Sequence, residues 1–250
     1  MNLVILEPGE LGAGGEVRLS GARAAHLLHV LRVGPGQTLR IGMLDGPLGI
    51  ATVQSVGEHT IDLTFLLGPT PPPKPRVDLL LAVPRPKVMR RLWAQLAALG
   101  VGRIILTNAE RVERPYFDTH VLTPGCYHPL LIEGLQQARD TRLPVVSIHR
   151  RFKVLIEDEL DRLSETGLRV VADPGAKTTV SEAVGARLDA VHPPRLLLAI
   201  GPEGGWNAFE LRMLDGHGFR RIGMGPRTLR TDTACLALLA LVHDAMSAPA

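Results

Sequence analysis

Two loops of unusual composition contain the residues best suited to binding a ligand. The first is Ile200-Gly201-Pro202-Glu203-Gly204-Gly205-Trp206-Asn207, which has three glycines within five positions. Glycine lets the backbone approach a ligand closely and adopt conformations that other residues avoid. The equal alternative is a tight strand-to-helix turn, in which Asn207 caps a helix with Glu210 three positions later.

The second loop runs from Gly223 to Ala234 and leads into an apolar helix, Cys235–Ala245. Thr231 or Asp232 can cap that helix, which is a purely structural role. Capping does not explain Arg230, because the dipole of a helix N-terminus repels cations. A cation at this position needs an acidic partner or a ligand, so Arg230 favours a functional interpretation of the loop.

Neither loop matches a nucleotide phosphate motif. The second loop lacks the third glycine of the dinucleotide fingerprint, and Asp173–Thr178 lacks the Gly-Lys pair of a P-loop. A dehydrogenase is therefore excluded. The ligand therefore need not be a phosphate anion.

The segments around these loops predict an α/β fold. Val and Leu richness without polar alternation is typical of strands buried on both faces of a parallel sheet, and alternation of strands with helices predicts an α/β layer. Ligands of such sheets bind beyond the carboxyl ends of the strands, where both loops fall. The predicted strands are Val77–Val83, Arg103–Thr107, Val145–Ile148, Leu168–Ala172, Arg195–Ile200 and Phe219–Gly223.

A different pattern precedes the proline-rich stretch from Gly68 to Pro75, which predicts a stiff linker. Short alternating segments separated by Gly and Pro turns predict a small β-barrel there, interrupted by one helix from Ala22 to about Val33 that Ser20 can cap. We therefore divide the chain into three parts: a barrel over 1–70, a linker over 71–76 and an α/β domain over 77–250. The predicted barrel strands are Glu16–Ser20, Thr38–Met43, Gly49–Val56 and Thr60–Leu66.

Composition narrows the class of protein further. The 250 residues are 45% hydrophobic and 21% charged, as in ordinary globular proteins, and the two cysteines, Cys126 and Cys235, form neither a disulfide framework nor a zinc site. No apolar stretch reaches the roughly 18 residues that a membrane span requires, and the first residues do not resemble a secretion signal. We expect a cytoplasmic protein without a metal.

Charge is unevenly distributed along the chain. Residues 84–151 carry 11 basic and 5 acidic side chains, a net charge of +6, whereas residues 1–74 carry 5 and 6, a net charge of −1. A local cationic surface attracts phosphate backbones. The basic residues that open the first helix after the linker are candidate RNA contacts, with a solvated helix face as the equal alternative: Arg85, Lys87, Arg90 and Arg91.

The two loops together resemble those of the SPOUT methyltransferases that act on N3 of a uridine in 16S rRNA. The shared motifs are Gly-Pro-Glu-Gly-Gly at 201–205 and Gly-x-Arg-x-Leu-Arg-Thr-Asp-Thr-Ala at 225–234. A third match, Ala24–Arg32 followed by Gly34-Pro35-Gly36-Gln37, resembles the opening of the PUA-like barrel of that family. The resemblance covers nearly the whole chain, and the three motifs occur in the same order as in the family.

This resemblance implies a fold, a cofactor and partners. Members fold the C-terminal domain around a parallel sheet with a deep trefoil knot, act as homodimers and modify ribosomal RNA or the small ribosomal subunit. S-adenosylmethionine would be the cofactor. Carried over to this sequence, the residues that bind it would be Ala172, Asp173, Ile200, Gly201, Pro202, Gly204, Gly205, Met224, Gly225, Leu229, Thr231 and Thr233.

The resemblance also suggests catalytic residues, because uracil N3 must lose a proton before it attacks a methyl group. We expect Arg230 to anchor the substrate or stabilise its negative charge. We expect Glu203 to handle the proton or orient the substrate, although it can instead only brace its loop. His26 and Arg32 are candidate RNA contacts, and His26 is alternatively a packing residue.

Three positions depart from the family pattern: Gln95 replaces a lysine, Ala98 replaces a glutamate, and Gln136 replaces the glutamate of a Glu-Gln pair. Two alternative functions therefore stay open. One is a SPOUT methyltransferase for a ribose 2′-hydroxyl or another base. The other is a non-catalytic RNA-binding or ribosome-assembly protein with the same fold, which a donor-binding titration followed by a turnover assay would distinguish from an enzyme.

Overall fold

A computed structural model describes residues 3–12, 14–164, 167–185 and 195–247. The outer limits of the predicted domains, residues 1 and 250, lie outside these ranges. The chain divides into two compact units. The first comprises Met1–Lys74 with Ile132–Leu143, and the second comprises Pro75–Leu131 with Pro144–Ala250. Residues 132–143 thus belong to the first unit, although the sequence division at 71–76 assigns them to the second domain.

The first unit contains one five-stranded sheet in the order β1-β3-β4-β5-β2. Strand β1 is parallel to β3, and the other pairs are antiparallel. The four predicted strands are confirmed, while the three-residue β1 was too short to show alternation. The strands are β1 (Val4–Leu6), β2 (Glu16–Leu19), β3 (Thr38–Met43), β4 (Leu48–Val56) and β5 (Ile61–Leu67).

Alternating side chains on this sheet form the core of the first unit. Ala51 and Val53 on β4 and Ile61 and Leu63 on β5 point to one buried cluster, as expected when one face of an antiparallel sheet is solvated. Among the described residues the edge strands β1 and β2 do not pair with each other, so the sheet forms a half-barrel and not a closed one.

The helix predicted from Ala22 to about Val33 is shorter than expected. It consists of α1 (Gly21–Ala25) and a π-helical turn, His26–Val30, and the Ser20 side chain makes no capping hydrogen bond. The helix ends because Arg32 adopts a left-handed backbone, with φ of 52°, and the Val33 N–H turns back to the Leu27 carbonyl at 3.1 Å. Both the cap and the C-terminal limit of the prediction were therefore wrong.

Residues 132–143 join the first unit through the turn between β3 and β4. The Thr141 hydroxyl donates to the Gly46 carbonyl at 2.6 Å, and the Asp45 N–H donates to the Thr141 carbonyl at 2.8 Å. The Asp45 carboxylate in turn accepts the Leu143 N–H at 3.0 Å. The Thr141–Gly46 bond is buried, and it satisfies a hydroxyl and a carbonyl that would otherwise be costly to remove from water.

The second unit contains a six-stranded sheet in the order β11-β9-β10-β6-β7-β8, in which every pair is parallel. The α/β architecture and all six predicted strands are confirmed. Every residue of the central strands β6 and β10 is buried, as expected for a sheet covered on both faces. The strands are β6 (Val77–Ala82), β7 (Val101–Thr107), β8 (Val145–His149), β9 (Leu168–Ala172), β10 (Leu196–Ile200) and β11 (Arg220–Ile222).

The helices of the chain connect these strands. Helix α2 buries Met89, Leu92, Trp93 and Leu96 at helical spacing. The last helix, α8, packs against α2, α6 and β10. The bounds are α2 (Pro86–Ala98), α3 (Pro124–Ala138), α4 (Phe152–Val154), α5 (Leu160–Leu163), α6 (Val180–Gly185), α7 (Ala208–Gly216) and α8 (Thr231–Ser247).

Candidate functional site

The first glycine-rich loop leaves β10 and enters α7 through a tight turn. Gly205 has a φ of +72° and donates its N–H to the Pro202 carbonyl at 2.8 Å, a conformation that favours glycine. Asn207 caps α7 as predicted: its side chain accepts the Glu210 N–H at 2.8 Å, and Glu210 accepts the Asn207 N–H at 2.7 Å. Glu210 is buried and also accepts the Glu110 N–H at 2.7 Å. This loop is thus held at both ends.

The second loop leaves β11 and passes directly against the loop that follows β9. The Gly223 N–H donates to the Thr178 carbonyl at 2.9 Å, and a Cβ at position 223 would lie 2.2 Å from the Ala176 carbonyl oxygen. No side chain fits there. Gly225 has a φ of +91°, a backbone conformation that favours glycine.

Asp173, a predicted cofactor-binding residue, braces the loop after β9. Its carboxylate accepts the Gly175 N–H at 2.9 Å and lies 3.4 Å from the Arg221 guanidinium. Arg221 also forms an ion pair with Asp215. Both carboxylate oxygens of Asp173 therefore have partners within the protein, which orients the loop backbone.

A cavity of about 70 Å³ lies between these two loops, next to the start of α8. It opens beside a larger cavity of about 590 Å³ that shares Pro174, Gly223, Met224 and Gly225. Five of the predicted cofactor-binding residues line the smaller cavity: Ala172, Asp173, Met224, Gly225 and Leu229. The other seven do not line it: Ile200, Gly201, Pro202, Gly204, Gly205, Thr231 and Thr233.

The chemistry of the smaller cavity suits a mostly apolar ligand with a few acceptor atoms. In the described part of the chain, the N–H groups of Met224, Gly225 and Leu229 donate to no protein acceptor. Ile222 and Leu238 supply apolar surface beside them. Ligand pockets typically combine apolar walls with a few convergent polar groups, so these residues fit the adenine or sugar edge of a cofactor.

A separate cavity, of about 310 Å³, brings together residues for which the sequence predicted different roles. Glu203 and Arg230, the two candidate catalytic residues, line it with Arg85 and Arg91, two of the candidate RNA contacts. The remaining lining residues are Val88, Thr231 and Asp232. Four predicted functional residues from three segments of the chain therefore meet at one site, which we call the arginine cavity.

Glu203 lies at one side of the arginine cavity on the turn after β10. Its carboxylate accepts the Arg85 backbone N–H at 3.2 Å, and the Arg111 side chain donates to the neighbouring Gly204 carbonyl. Glu203 is exposed, so one carboxylate oxygen remains accessible from the cavity. The residue therefore braces its loop against α2 and also faces solvent.

Asp232 and Arg91 form an ion pair across the arginine cavity, with 2.7 Å between their charged atoms. Partial burial alone would raise the pKa of the Asp232 carboxyl, but the hydrogen bonds from Arg91 and from the Thr233 N–H outweigh it, and the pKa is lowered. Asp232 is thus ionised at neutral pH. The sequence pattern indicated only a helix-capping role for this residue.

The Arg230 side chain is exposed and has no hydrogen bond or ion pair within the described residues, while its backbone carbonyl accepts the Ala234 N–H at 2.8 Å. The nearest acidic residue in sequence, Asp232, forms an ion pair with Arg91 instead. Since three arginines and two carboxylates line the cavity, it carries a net positive charge. An uncompensated guanidinium in such a cavity suits an anionic or electron-rich ligand.

The other RNA-contact candidates lie elsewhere. Lys87 and Arg90 are exposed on α2 but do not line the arginine cavity. His26 and Arg32 belong to the first unit, where His26 is partly buried in the π-helical turn and Arg32 is exposed just after it.

Tyr116 and Glu113, which sequence reasoning did not single out, form a partly buried hydrogen bond after β7. Tyr116 donates its hydroxyl hydrogen to Glu113 at 2.8 Å. Burial and the bond to Glu113 raise the pKa of Tyr116, while Arg85 partly offsets them. Neither residue lines the arginine cavity, and no motif in the sequence marks them.

Comparison with known proteins identifies the family of this chain. Residues 71–243 match the family described as an RNA methyltransferase domain. A ribosomal RNA small subunit methyltransferase E from Treponema pallidum is 30% identical over 97% of this chain and 90% of its own length. The chain belongs to the ribosomal RNA small subunit methyltransferase E family.

Solved structures similar to this family member share its fold. A methyltransferase from Legionella pneumophila in complex with S-adenosylmethionine is 24% identical, with a TM-score of 0.74, over 98% of this chain and 97% of its own. A ribosomal RNA small subunit methyltransferase E from Neisseria gonorrhoeae, bound to S-adenosylmethionine, is 22% identical, with a TM-score of 0.73 over the same shares.

Within the described ranges, no helix is both long and apolar enough to cross a membrane. No group of three or more His, Cys, Asp or Glu side chains in those residues is placed to hold a metal ion.

Proposed function

We propose that this chain transfers the methyl group of S-adenosylmethionine to N3 of a uridine in 16S rRNA of the small ribosomal subunit. Family membership supports methylation of ribosomal RNA. The choice of uridine N3 rests on the two loop motifs and the helix motif at residues 24–32. The observation that carries the proposal is that Glu203 and Arg230, from different loops, line one cavity.

The cavity between the loops after β9 and β11 is the proposed cofactor site. When bound, S-adenosylmethionine supplies an electrophilic methyl group on a sulfonium. The free N–H groups of Met224, Gly225 and Leu229 would donate to its polar edges, and Ile222 and Leu238 would contact its apolar surface. The similar proteins from Legionella pneumophila and Neisseria gonorrhoeae were solved with this cofactor bound. Residues 200–205, Thr231 and Thr233 would extend the site toward the arginine cavity.

Arg230 and Glu203 would activate the uridine. Loss of the N3 proton leaves negative charge on the uracil ring, and a guanidinium without another partner stabilises such charge directly. Glu203 is a carboxylate with an accessible oxygen, so it can accept the proton or orient the ring. Its bond to the Arg85 N–H holds it in place for either role.

The basic residues of α2 would bind the RNA backbone. Arg85 and Arg91 line the arginine cavity, and Lys87 and Arg90 extend the positive surface along the same helix. No acidic residue lies in the first turn of α2. Phosphates of the strand that carries the target uridine would neutralise this charge. In the first unit, His26 and Arg32 are further proposed RNA contacts.

We further propose that the second unit contains a trefoil knot, that the chain acts as a homodimer in the cytoplasm, and that the first unit is a PUA-like RNA-binding domain. The knot is supported by the close approach of Gly223 to Ala176 and Thr178, followed by α8 packing back against α2 and β10. The five-stranded half-barrel is consistent with a PUA-like domain.

The departures from the family pattern keep another RNA position, or a non-catalytic assembly role, as alternative functions. Gln95, Ala98 and Gln136 line neither the cofactor cavity nor the arginine cavity. The residues that would perform the chemistry are thus intact, which favours an active enzyme acting on uridine N3.

The test is methylation of 30S particles and of naked 16S rRNA from a strain that lacks the modification, using labelled S-adenosylmethionine. Nucleosides from the RNA are then separated and identified by mass spectrometry. Label in 3-methyluridine is the expected result. Label in a 2′-O-methylated nucleoside or another base would overturn the choice of N3, and cofactor binding without label in either RNA would overturn the activity on this substrate.

A further inference from the structure

Arg91, Asp232 and Arg230 share the wall of the arginine cavity. One carboxylate oxygen of Asp232 accepts a hydrogen bond from the Arg91 guanidinium at 2.7 Å, and the other accepts the Thr233 N–H at 2.9 Å. The Arg230 side chain has no partner in the described ranges, although it lies only two positions before Asp232 in sequence. Two arginines of one cavity are thus placed near one carboxylate, and Arg91 is the one that binds it.

We infer that Arg91 is a positioning residue that occupies Asp232 and thereby keeps the Arg230 guanidinium free for the uracil anion. The inference rests on the proposed function and deepens it, because it adds a second role to the phosphate contact proposed for Arg91. In this second role Arg91 acts through Arg230 and does not contact the uracil.

Without Arg91, the Arg230 side chain could reach Asp232 by rotation alone. The backbone of Arg230 is fixed at the start of α8, because its carbonyl accepts the Ala234 N–H at 2.8 Å. Its side chain is exposed and therefore keeps the rotamer freedom of a long arginine stem. Since both residues line the same cavity, no movement of either loop is needed for them to pair.

Pairing of Arg230 with Asp232 would weaken the proposed chemistry. A guanidinium stabilises developing negative charge best when no other anion offsets its own charge. Glu203, the other carboxylate of the cavity, comes from the loop after β10 and accepts the Arg85 backbone N–H at 3.2 Å. The pairing of Asp232 therefore decides whether Arg230 is available.

The first test is a double-mutant cycle of Arg91→Ala and Asp232→Asn, in which kcat and KM are measured with 30S particles. In Arg91→Ala the released Asp232 should bind Arg230, and kcat should fall by about two- to fivefold, as expected for one partly exposed ion pair. In the Asp232→Asn background the same substitution should have no further effect on kcat. KM should rise in both backgrounds, because each loses the phosphate contact. Arg91→Lys, which keeps a cation beside Asp232, should retain most of the wild-type kcat.

The second test does not depend on activity. The pKa of the Asp232 carboxyl is followed by carbon-13 NMR in the wild type, in Arg91→Ala and in Arg91→Ala/Arg230→Ala. If Arg230 takes the place of Arg91, the pKa should stay below its ordinary value of 3.8 in Arg91→Ala. It should rise only when Arg230 is removed as well. A full rise in Arg91→Ala, with no further change in the double variant, would overturn the inference.

The Arg150–Asp118 ion pair provides the matched control, because it is exposed, measures 3.1 Å and lines neither cavity. Arg150→Ala should leave kcat and KM unchanged. An equal loss of kcat from Arg91→Ala in both Asp232 backgrounds would also overturn the inference, since Arg91 would then act on the substrate directly. If the wild type methylates neither RNA but the NMR result is as expected, the proposed function fails while the exchange of partners at Asp232 stands.

Discussion

Arg91 and Asp232, which are 141 residues apart in sequence, form an ion pair of 2.7 Å between α2 and the start of α8. The pair joins the basic helix to the loop that also carries Arg230. Asp232 is the acidic residue nearest to Arg230 in sequence. Because Asp232 pairs with Arg91, the Arg230 guanidinium has no partner in the described part of the chain. The arrangement explains how a cation stays available at a helix N-terminus that would otherwise disfavour it.

Arg230→Ala should reduce methyl transfer far more than cofactor binding. If the guanidinium stabilises the uracil anion, kcat should fall by about 10²- to 10³-fold, the range for loss of one group that stabilises developing charge. The Kd of S-adenosylmethionine, measured by calorimetric titration, should change by less than about threefold. Arg212→Ala, an exposed arginine on α7, is the matched control. Equal losses of kcat and cofactor affinity would make Arg230 a cofactor-binding residue.

Glu203→Gln should separate proton transfer from loop bracing. Glutamine retains an acceptor for the Arg85 N–H but cannot accept a proton at neutral pH. If Glu203 is the base, kcat at pH 7 should fall by about 10²-fold or more. The rate of the variant should then recover as the pH rises, because solution hydroxide removes the N3 proton instead. A pH–rate profile of the variant parallel to that of the wild type, with unchanged kcat, would leave Glu203 with only the bracing role.

Much of the fold could be predicted from local patterns. All six parallel strands and four of the five in the first unit were recognisable, because burial on one or both faces imposes a characteristic run of apolar residues. Strand β1 was missed since three residues, Val4–Leu6, show no period. The helix end near Arg32 was missed because nothing in the sequence marks a non-glycine residue that adopts a positive φ.

The site was only partly predictable for a related reason. Glu203 and Arg230 stand out through their glycine-rich surroundings, and α2 through its charge. The contacts that assemble them, such as Arg91 with Asp232 or the Arg85 N–H with Glu203, join segments far apart in sequence. The attachment of residues 132–143 to the first unit has the same origin, since it depends on the Thr141–Gly46 bond across 95 positions.

Gly223→Ala should disrupt the cofactor cavity. An added Cβ would lie 2.2 Å from the Ala176 carbonyl oxygen, which is backbone and cannot move aside without shifting the loop after β9. We expect a stability loss of about 1–3 kcal/mol, typical of overpacking, and at least a tenfold weaker binding of S-adenosylmethionine. Thermal unfolding and titration measure the two effects. Gly125→Ala is the control, since a Cβ there meets nothing within 4 Å. Wild-type cofactor affinity in Gly223→Ala would argue against a cofactor site between these loops.

Asp78→Asn should change how stability depends on pH. Asp78 lies on β6 with 1% exposure, bonded to Arg195 at 2.7 Å. Burial raises the pKa of its carboxyl, and the charge and hydrogen bond of Arg195 only partly offset this. A carboxyl whose folded-state pKa lies above its unfolded value favours the folded state below the unfolded pKa. That contribution is lost as the pH rises through the folded pKa.

The free energy of unfolding of the wild type, relative to Asp78→Asn, should therefore decrease as the pH is raised from about 3.8, the ordinary value, to neutrality. Urea unfolding of both proteins at several pH values measures this difference. Glu182→Gln provides the opposite case, because hydrogen bonds from Thr179 lower the pKa of Glu182. The stability that the ionised Glu182 carboxylate contributes to the folded state should be lost as the pH falls. Parallel curves for the wild type and Asp78→Asn would mean that Arg195 compensates fully for the burial of Asp78.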